Sequence, residues 1–276
     1  MGLIVSRKEF VMIAEQRTIV DLSLLIDESM PSYWPTHMPF QRHVWNWYSD
    51  VVSNNPESRQ SKLGPYFTEW LLMDEHTGTH FDAPAHFIND DRRLTGEQVD
   101  LNQFSGPCVV VDVSTVRGDV GGISPDISPQ IIQEWEKKFR RIKPEDIVLF
   151  RTGWDQEYYQ DGAKGKKYAY DVLITKEHPG WPAPTVECMQ LLIDRQVRCV
   201  GTDAPSMGSA HDGAPVHQLG LGKGLVFIEA LASLHRVPID GALFLFLPLK
   251  ISQSSGGMGR AVAWIPEPIL YNNLSE

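Results

Sequence analysis

One short stretch, residues 76–87 with the sequence HTGTHFDAPAHF, restricts the fold most strongly, because it places four chemically active side chains within eleven positions. Gly78, two β-branched threonines and a proline make this stretch a poor helix. In an extended strand alternate side chains point to the same side, so His76, His80 and Asp82 would share one face, with Gly78 leaving a gap between the imidazoles. The stretch therefore predicts a strand whose ligands meet a metal ion.

The grouping of these side chains favours a metal site over a structural role. Two imidazoles and one carboxylate are a normal ligand set for a catalytic transition metal, with a position left for water or substrate. A single histidine in a strand is more often a surface residue or a hydrogen-bonded core residue, so the prediction depends on the ligands sharing one face. His86, four residues beyond Asp82, is predicted to carry protons.

Composition limits the class of protein. A chain of 276 residues can bury a core without disulfides, and we expect one domain at 1–276, with its core at about 18–266 and an N-terminal arm at 1–17. The formal net charge of -10 argues against a nucleic-acid or anionic-membrane partner. Three cysteines without C-x-x-C spacing indicate neither a disulfide framework nor a thiolate metal site. With no apolar run typical of a signal peptide, a reducing cytoplasm is expected.

Alternating strand and helix patterns predict a mixed α/β fold. Strands are predicted at 19–24, 67–73, 108–113, 147–150, 198–201, 225–228, 242–247 and 261–265. Those at 67–73 and 108–113 are expected to be buried. Helix-start signals at Ser128 and Thr185 predict helices at about 128–139 and 185–195. Residues 42–66 lack an apolar period and are predicted to form a long loop, either lining a substrate site or packing at an interface.

The stretch at 76–87 resembles the signature of the metal-dependent cyclase family, which includes bacterial kynurenine formamidases, isatin hydrolases and some polyketide cyclases. The segments RTGW at 151–154 and GTDAPS at 201–206 also resemble family blocks. The resemblance implies a central β-barrel-like mixed sheet with peripheral helices, of the swivelling β/β/α type. It also implies a homodimer or homotetramer.

The resemblance further implies the roles of individual residues. The first metal ion would be bound by His76, His80 and Asp82, and His86 would be the general acid/base. His217 and Glu229 would complete a second metal position that shares Asp82. Independently of the family, Glu229 ends an apolar run, where an unpaired carboxylate is costly to bury, so a metal ion, an arginine or backbone amides must neutralise it.

Two further polar residues lie between the predicted strand at 198–201 and the one at 225–228. His211 shares a predicted glycine-rich loop with His217 and is a second candidate in that region, either as ligand or as substrate contact. Asp203 is predicted to hold its loop through hydrogen bonds to backbone amides.

The predicted activity is hydrolysis of an amide-type C–N bond by metal-activated water, with one or two Zn²⁺ or Mn²⁺ ions. Suitable substrates are an aryl formamide such as N-formylkynurenine or a cyclic amide such as isatin, contacted by Trp34, Phe40, Trp45 and His211. Three alternatives stay open: a non-hydrolytic, ring-closing cyclase, a lactone hydrolase with the same metal site, and a non-catalytic metal-binding protein.

Overall fold

The computed structural model describes residues 17–31, 34–48 and 64–266. The strands within these ranges are β1 (Arg17–Asp21), β2 (Gln41–Asn46), β3 (Thr68–Leu72), β4 (His80–Asp82), β5 (Ser105–Asp112), β6 (Asp126–Ile127), β7 (Ile147–Arg151), β8 (Ala183–Pro184), β9 (Cys199–Thr202), β10 (Val226–Glu229), β11 (Ala242–Pro248) and β12 (Gly256–Pro266). The α-helices are α1 (Pro129–Lys138), α2 (Trp154–Tyr158), α3 (Ala163–Lys166), α4 (Tyr170–Leu173), α5 (Val186–Asp194) and α6 (Ala214–Gly222). Short 3₁₀ helices occur at Pro84–His86, Gly96–Gln98, Leu101–Phe104 and Leu234–Arg236.

Seven strands form a closed mixed barrel. They are hydrogen-bonded in the order β12, β11, β5, β7, β9, β10, β4, and β4 pairs again with β12, which closes the sheet. β5, β7, β9 and β10 are parallel neighbours, whereas β4, β11 and β12 join them in antiparallel pairings. β1 extends the sheet by pairing with β12 outside the closed ring. The α/β fold with a barrel-like sheet is therefore confirmed.

The parallel strands are buried on both faces, which explains their continuous apolar sequences. Cys108 and Val110 of β5 belong to a cluster that draws residues from all seven barrel strands and fills the interior. Val109 and Val111 alternate with them and face a second cluster, which includes residues of α1, α5 and α6. These helices thus cover part of the outer face of the barrel.

Both predicted long helices are present. α1 begins at Pro129 with Ser128 in the N-cap position, and the Thr185 side chain caps α5. Trp135 Nε1 of α1 donates a hydrogen bond to the Val110 carbonyl oxygen at 2.9 Å, which anchors the helix on β5. The local start signals were sufficient because they act within one helical turn.

The region of β2 and β3 differs from the prediction. β2 occupies part of the segment predicted as a loop at 42–66, of which residues 49–63 lie outside the described ranges. β3 is a strand, as predicted for 67–73, but it is not buried: Trp70 is 47% and Leu71 53% exposed. The reason is that β3 pairs with β2 in a separate two-stranded ribbon rather than with the barrel.

The N-terminal part is described only from Arg17. The predicted arm at 1–17 therefore lies outside the described residues, except for its last residue, which begins β1. Within the part of the chain that the structure describes, no helix has the length and apolar character needed to cross a membrane.

Gly256 lies at the seam between β4 and β12, opposite Asp82. A Cβ at this position would lie 2.2 Å from the Phe81 carbonyl oxygen and 2.8 Å from His76 Cε1. Because a backbone oxygen cannot yield without opening the seam, we expect Gly256→Ala to lower the free energy of unfolding by about 1–3 kcal/mol or more. Urea unfolding measures this change.

Gly257→Ala is the matched control. A Cβ on Gly257 would lie 3.4 Å from its nearest neighbour, a ring carbon of Phe81, which is ordinary van der Waals contact. We expect this variant to unfold at nearly the parent's urea concentration. Equal stability of the two variants would contradict a tightly closed seam at Gly256.

Candidate metal centre

The predicted ligands converge where β4 meets β10. In the short strand β4, His80 and Asp82 point to one side, while Phe81 between them packs into the barrel interior. The antiparallel register pairs Glu229, the last residue of β10, with His80. Strand pairing therefore brings together two ligands that are 149 positions apart in the sequence (229 − 80).

The extended ligand strand predicted from His76 to Asp82 is wrong. Only His80–Asp82 forms a strand, and the residues before it form turns. Gly78 has a φ of +64°, a left-handed conformation that interrupts a strand, and His76 N donates to Asp74 Oδ1 at 2.9 Å. The turn nevertheless returns the His76 side chain to Asp82.

His217 lies on helix α6 rather than in the predicted loop. Pro215 suits the first turn of a helix, where its missing N–H has no intrahelical partner to lose. Val216 and Leu221 pack into the cluster outside the barrel, and this burial offsets the weak helix propensity of the glycines in α6. The glycine content of the segment was therefore misleading.

Asp82 joins two groups of candidate ligands. Its Oδ1 lies 2.9 Å from His76 Nδ1 and 3.5 Å from His80 Nε2. Its Oδ2 lies 3.4 Å from His217 Nε2, which is 3.1 Å from Glu229 Oε1. His80 Nε2 is also 3.5 Å from Glu229 Oε2, so the two groups adjoin. Each group, with Asp82 in common, could hold one metal ion.

These separations fit metal ligands better than hydrogen bonds. Ligand atoms about 2.0–2.2 Å from one ion lie about 2.8–3.6 Å apart when they subtend angles of about 90–110°. The measured separations run from 2.9 to 3.5 Å, and several exceed the usual hydrogen-bond range. In addition, Asp82 Oδ2 is buried and has no hydrogen-bond partner among the described residues. A cation would satisfy this oxygen.

Backbone carbonyls orient two of the imidazoles. His80 Nδ1 lies 2.8 Å from the Gly78 carbonyl oxygen, and His217 Nδ1 lies 2.8 Å from that of Gly213. Because a carbonyl only accepts, each Nδ1 carries a proton, which leaves Nε2 as the atom that a metal ion would bind. This is the arrangement that metal-binding histidines use.

The two carboxylates dominate the electrostatics of the centre. Burial raises the pKa of Asp82, but the imidazoles of His217, His76 and His80 outweigh it and hold that pKa well below its usual range. Burial lowers the pKa values of His80 and His217, but the adjacent carboxylates of Asp82 and Glu229 outweigh burial and raise both to about 10. The carboxylates therefore stabilise positive charge at this centre, and they would stabilise a bound divalent cation in the same way.

His86 is placed differently from the candidate ligands. The 3₁₀ helix Pro84–His86 turns the chain directly after β4, and the His86 ring stacks on His76 with centroids 4.1 Å apart. Burial lowers the pKa of His86 to about 4, so its imidazole is neutral at pH 7. Within the described ranges its ring nitrogens make no hydrogen bond, which leaves them available to a ligand.

A cavity of about 380 Å³ opens over the centre. Its lining includes His76, His80, His86, His217 and Glu229, together with the aromatic residues Trp34, Phe87 and Tyr168 and the imidazoles of His37 and His211. The structure thus brings two predicted substrate contacts, Trp34 and His211, to the same space as the metal ligands.

The other two predicted substrate contacts are not brought to this cavity. Phe40 is only 7% exposed and is packed inward immediately before β2. Trp45 lies on the β2–β3 ribbon and is 52% exposed. Neither is among the described residues that line the cavity, because both belong to a segment whose path follows the ribbon rather than the barrel mouth.

Several supporting contacts were not predicted. Met207 N donates to Glu229 Oε1 at 2.6 Å, and Ser255 Oγ contacts His76 Nε2 at 2.9 Å across 179 positions of sequence. No local pattern marks either residue. Asp203, by contrast, accepts hydrogen bonds from the backbone amides of Thr152 and Gly153, at 2.7 and 2.9 Å, in agreement with its predicted structural role.

Comparisons with known proteins agree with this picture. The family model named Cyclase matches residues 20–209. An isatin hydrolase of Roseibium aggregatum is 29% identical over 234 residues, covering 79% of this chain and 85% of the relative, and a kynurenine formamidase of Erythrobacter litoralis is 28% identical over 256 residues, covering 90% and 94%. The solved structure of isatin hydrolase A from Labrenzia aggregata, bound to benzyl benzoate, matches with a TM-score of 0.75 and 28% identity, covering 95% of this chain and 100% of that one.

Proposed function

This chain belongs to the cyclase family, and on that premise we propose that it is a metal-dependent hydrolase of amide-type C–N bonds in small aromatic substrates. The proposal is carried by Asp82, whose two oxygens face two ligand groups beneath a cavity that also contains the neutral imidazole of His86. The relatives named isatin hydrolase and kynurenine formamidase support this reaction class.

We assign the metal ligands from the two groups around Asp82. The first ion would be held by His76, His80 and Asp82, and the second by Asp82, His217 and Glu229. Imidazole and carboxylate ligands suit Zn²⁺ and Mn²⁺, and we propose one of these, with one or two ions per chain. When bound, such an ion supplies an activated water molecule near neutral pH and polarises a carbonyl.

His86 supplies the proton transfers. Its neutral imidazole accepts the proton that the attacking water loses, and it donates that proton to the leaving nitrogen as the C–N bond breaks. One water is consumed, and the products are a carboxylate and an amine, which stay in one molecule when the substrate is a cyclic amide. No side-chain nucleophile is required.

The cavity suits a flat aromatic substrate. Trp34, Phe87 and Tyr168 provide aromatic walls, and about 380 Å³ is within the range of small-molecule sites. His211 Nδ1 accepts a hydrogen bond from Ser124 N at 3.2 Å, which leaves its Nε2–H to donate to a substrate oxygen. We therefore propose an aryl formamide such as N-formylkynurenine, or a bicyclic lactam such as isatin.

Assembly and location are proposed on separate grounds. The β2–β3 ribbon exposes Trp45, Trp70, Leu71 and Leu72 by 40–53%, and an apolar surface of this kind marks an interaction site, which supports a homodimer or homotetramer. The three cysteines are buried free thiols, which supports a reducing compartment and hence the cytoplasm.

The test is metal-reconstituted hydrolysis of N-formylkynurenine, isatin and simple aryl formamides. We expect chelator-treated protein to be inactive and Zn²⁺ or Mn²⁺ to restore turnover. His86→Ala should bind the metal with the parent's stoichiometry but lose roughly 10²–10⁴-fold in kcat, because only proton transfer is removed. Turnover by the metal-free protein would contradict metal dependence.

His211→Ala is the comparison variant, since it lines the same cavity away from the ligand groups. Its effect should fall mainly on KM, as expected for a substrate contact. If the metal binds stoichiometrically and no amide in the panel is cleaved, amide hydrolysis is the wrong reaction class, and ring closure and lactone hydrolysis are the reactions to assay next.

A further inference from the structure

Glu75 and Ser255 form a chain of hydrogen bonds that ends on His76. Ser255 Oγ donates to Glu75 Oε1 at 2.6 Å, and Ser255 N donates to the same carboxylate at 3.1 Å. His76 Nε2 lies 2.9 Å from Ser255 Oγ on the other side. The ring's second nitrogen, Nδ1, is 2.9 Å from Asp82 Oδ1. A polar contact thus occupies each nitrogen of this imidazole.

The direction of these hydrogen bonds follows from the chemistry of the groups. An ionised carboxylate only accepts, and a hydroxyl has one proton to donate. Because Ser255 Oγ donates its only proton to Glu75, the same oxygen must accept a hydrogen bond from His76 Nε2. The Nε2 atom of His76 therefore carries a proton, which in the neutral ring leaves Nδ1 with a lone pair directed at the candidate metal position.

The other tautomer of His76, protonated on Nδ1, would be stabilised by a hydrogen bond to Asp82. With its proton on Nδ1, His76 would donate to Asp82 Oδ1 at 2.9 Å and would no longer be a ligand. Such a bond between imidazole and carboxylate would also occupy the oxygen that the first ligand group needs. Some other contact must therefore keep the proton on Nε2.

We infer that Glu75 and Ser255 are positioning residues that select the metal-binding tautomer of His76, an inference that rests on the proposed function. Ser255 immediately precedes β12 at the barrel seam, and Glu75 lies in the turn before β4. This chain of hydrogen bonds from Glu75 through Ser255 to His76, here called the relay, thus connects the turn that carries His76 to the strand that closes the barrel. Neither residue touches the substrate in this scheme, so their effect is on metal affinity.

The test measures metal affinity directly, by calorimetric titration of the chelator-treated full-length chain with Zn²⁺ and with Mn²⁺. We expect Ser255→Ala and Glu75→Ala each to raise the Kd of one binding step about 10–100-fold, the usual effect of removing a partner of a ligand. Glu75→Gln keeps an acceptor oxygen for Ser255 and should restore most of the affinity. If Gln is as damaging as Ala, the charge of Glu75 acts rather than the relay.

Ser254→Ala is the matched control, because the Ser254 hydroxyl is buried and has no hydrogen-bond partner among the described residues. It should leave the Kd unchanged. The histidine nitrogen spectrum of each protein gives an independent readout: the parent should show His76 protonated at Nε2, and the relay variants should show a loss of this preference. Unchanged affinity and an unchanged tautomer in Ser255→Ala would overturn the inference.

The outcomes separate this inference from the proposed function. If the parent binds no metal, the proposed function itself fails. If the parent binds metal and hydrolyses the panel while both relay variants bind equally well, only the relay is wrong.

Discussion

Asp82→Asn is expected to abolish metal binding at one ligand group, to weaken it at the other, and to reduce hydrolysis by more than the roughly 10²–10⁴-fold expected for His86→Ala. Asp82 Oδ1 faces His76 and His80, and Oδ2 faces His217. An asparagine keeps one oxygen and replaces the other by an NH₂ group, which carries no lone pair for a cation and no charge. One of the two groups therefore loses its ligand, and both lose the shared negative charge.

Metal content after dialysis and calorimetric titration measure this effect. Asp90→Asn is the control, because Asp90 is an exposed carboxylate paired with Arg92 and belongs to neither ligand group. We expect it to retain the parent's metal stoichiometry and activity. Stoichiometric metal in Asp82→Asn, with turnover near the parent's, would show that Asp82 does not join the two groups.

The second large effect concerns a pair of buried carboxyl groups, those of Asp155 and Asp203. Asp203 is completely buried and accepts hydrogen bonds from Thr152 and Gly153, and Asp155, 8% exposed, accepts one from Ser233 N at 2.8 Å. Each of the two carboxyl groups influences the pKa of the other, and Asp155 Oδ1 is buried without a hydrogen-bond partner among the described residues. Two ionised carboxylates close together repel each other and cannot donate to each other, so we expect this pair to share one proton.

The pKa values of both carboxyl groups are raised, as expected for a buried pair. Burial, and then the charge of Asp155, raise the pKa of Asp203 to about 7, and burial also raises the pKa of Asp155, although the hydrogen bond from Ser233 N opposes it. Between pH 4 and pH 7 the folded protein thus holds a proton that the unfolded chain releases. Stability is therefore present at the acidic end of this window and is lost as the pH rises through it, by up to about 1.4 kcal/mol per unit for one proton.

Asp155→Asn should remove this dependence, because its amide can donate to Asp203 permanently while its oxygen still accepts from Ser233 N. We expect the free energy of unfolding of the variant, relative to the parent, to increase with pH by on the order of 2–3 kcal/mol between pH 5 and pH 7. Urea unfolding with a chelator present measures the difference and keeps metal binding out of it.

Asp112→Asn, at the end of β5 and partly exposed, is the control, and its difference from the parent should not vary with pH in this window. A pH-independent difference between Asp155→Asn and the parent would mean that the two carboxyl groups do not share a proton. The geometry of Asp203 would then have only the structural role predicted from its sequence context.

The strands and helices that could be predicted were those with a complete local signal. Buried on both faces, β5 and β7 have continuous apolar sequences. α1 begins with Pro129, and the Thr185 side chain caps α5. β3 also contains large apolar residues, Trp70, Leu71 and Leu72, yet it is exposed. A strand's composition does not specify its partner, and β3 pairs with β2 rather than with the barrel.

The sequence by itself determined the chemistry of the candidate site, because ligand type and spacing at His76, His80 and Asp82 are properties of adjacent residues. Only the tertiary structure decided how the site is assembled. The left-handed Gly78 replaced the predicted strand by a turn, and α6 carried His217 to Asp82. Pairs far apart in sequence, such as Glu75 with Ser255, meet because the barrel closes between β4 and β12, a long-range hydrogen-bonding event that no local pattern encodes.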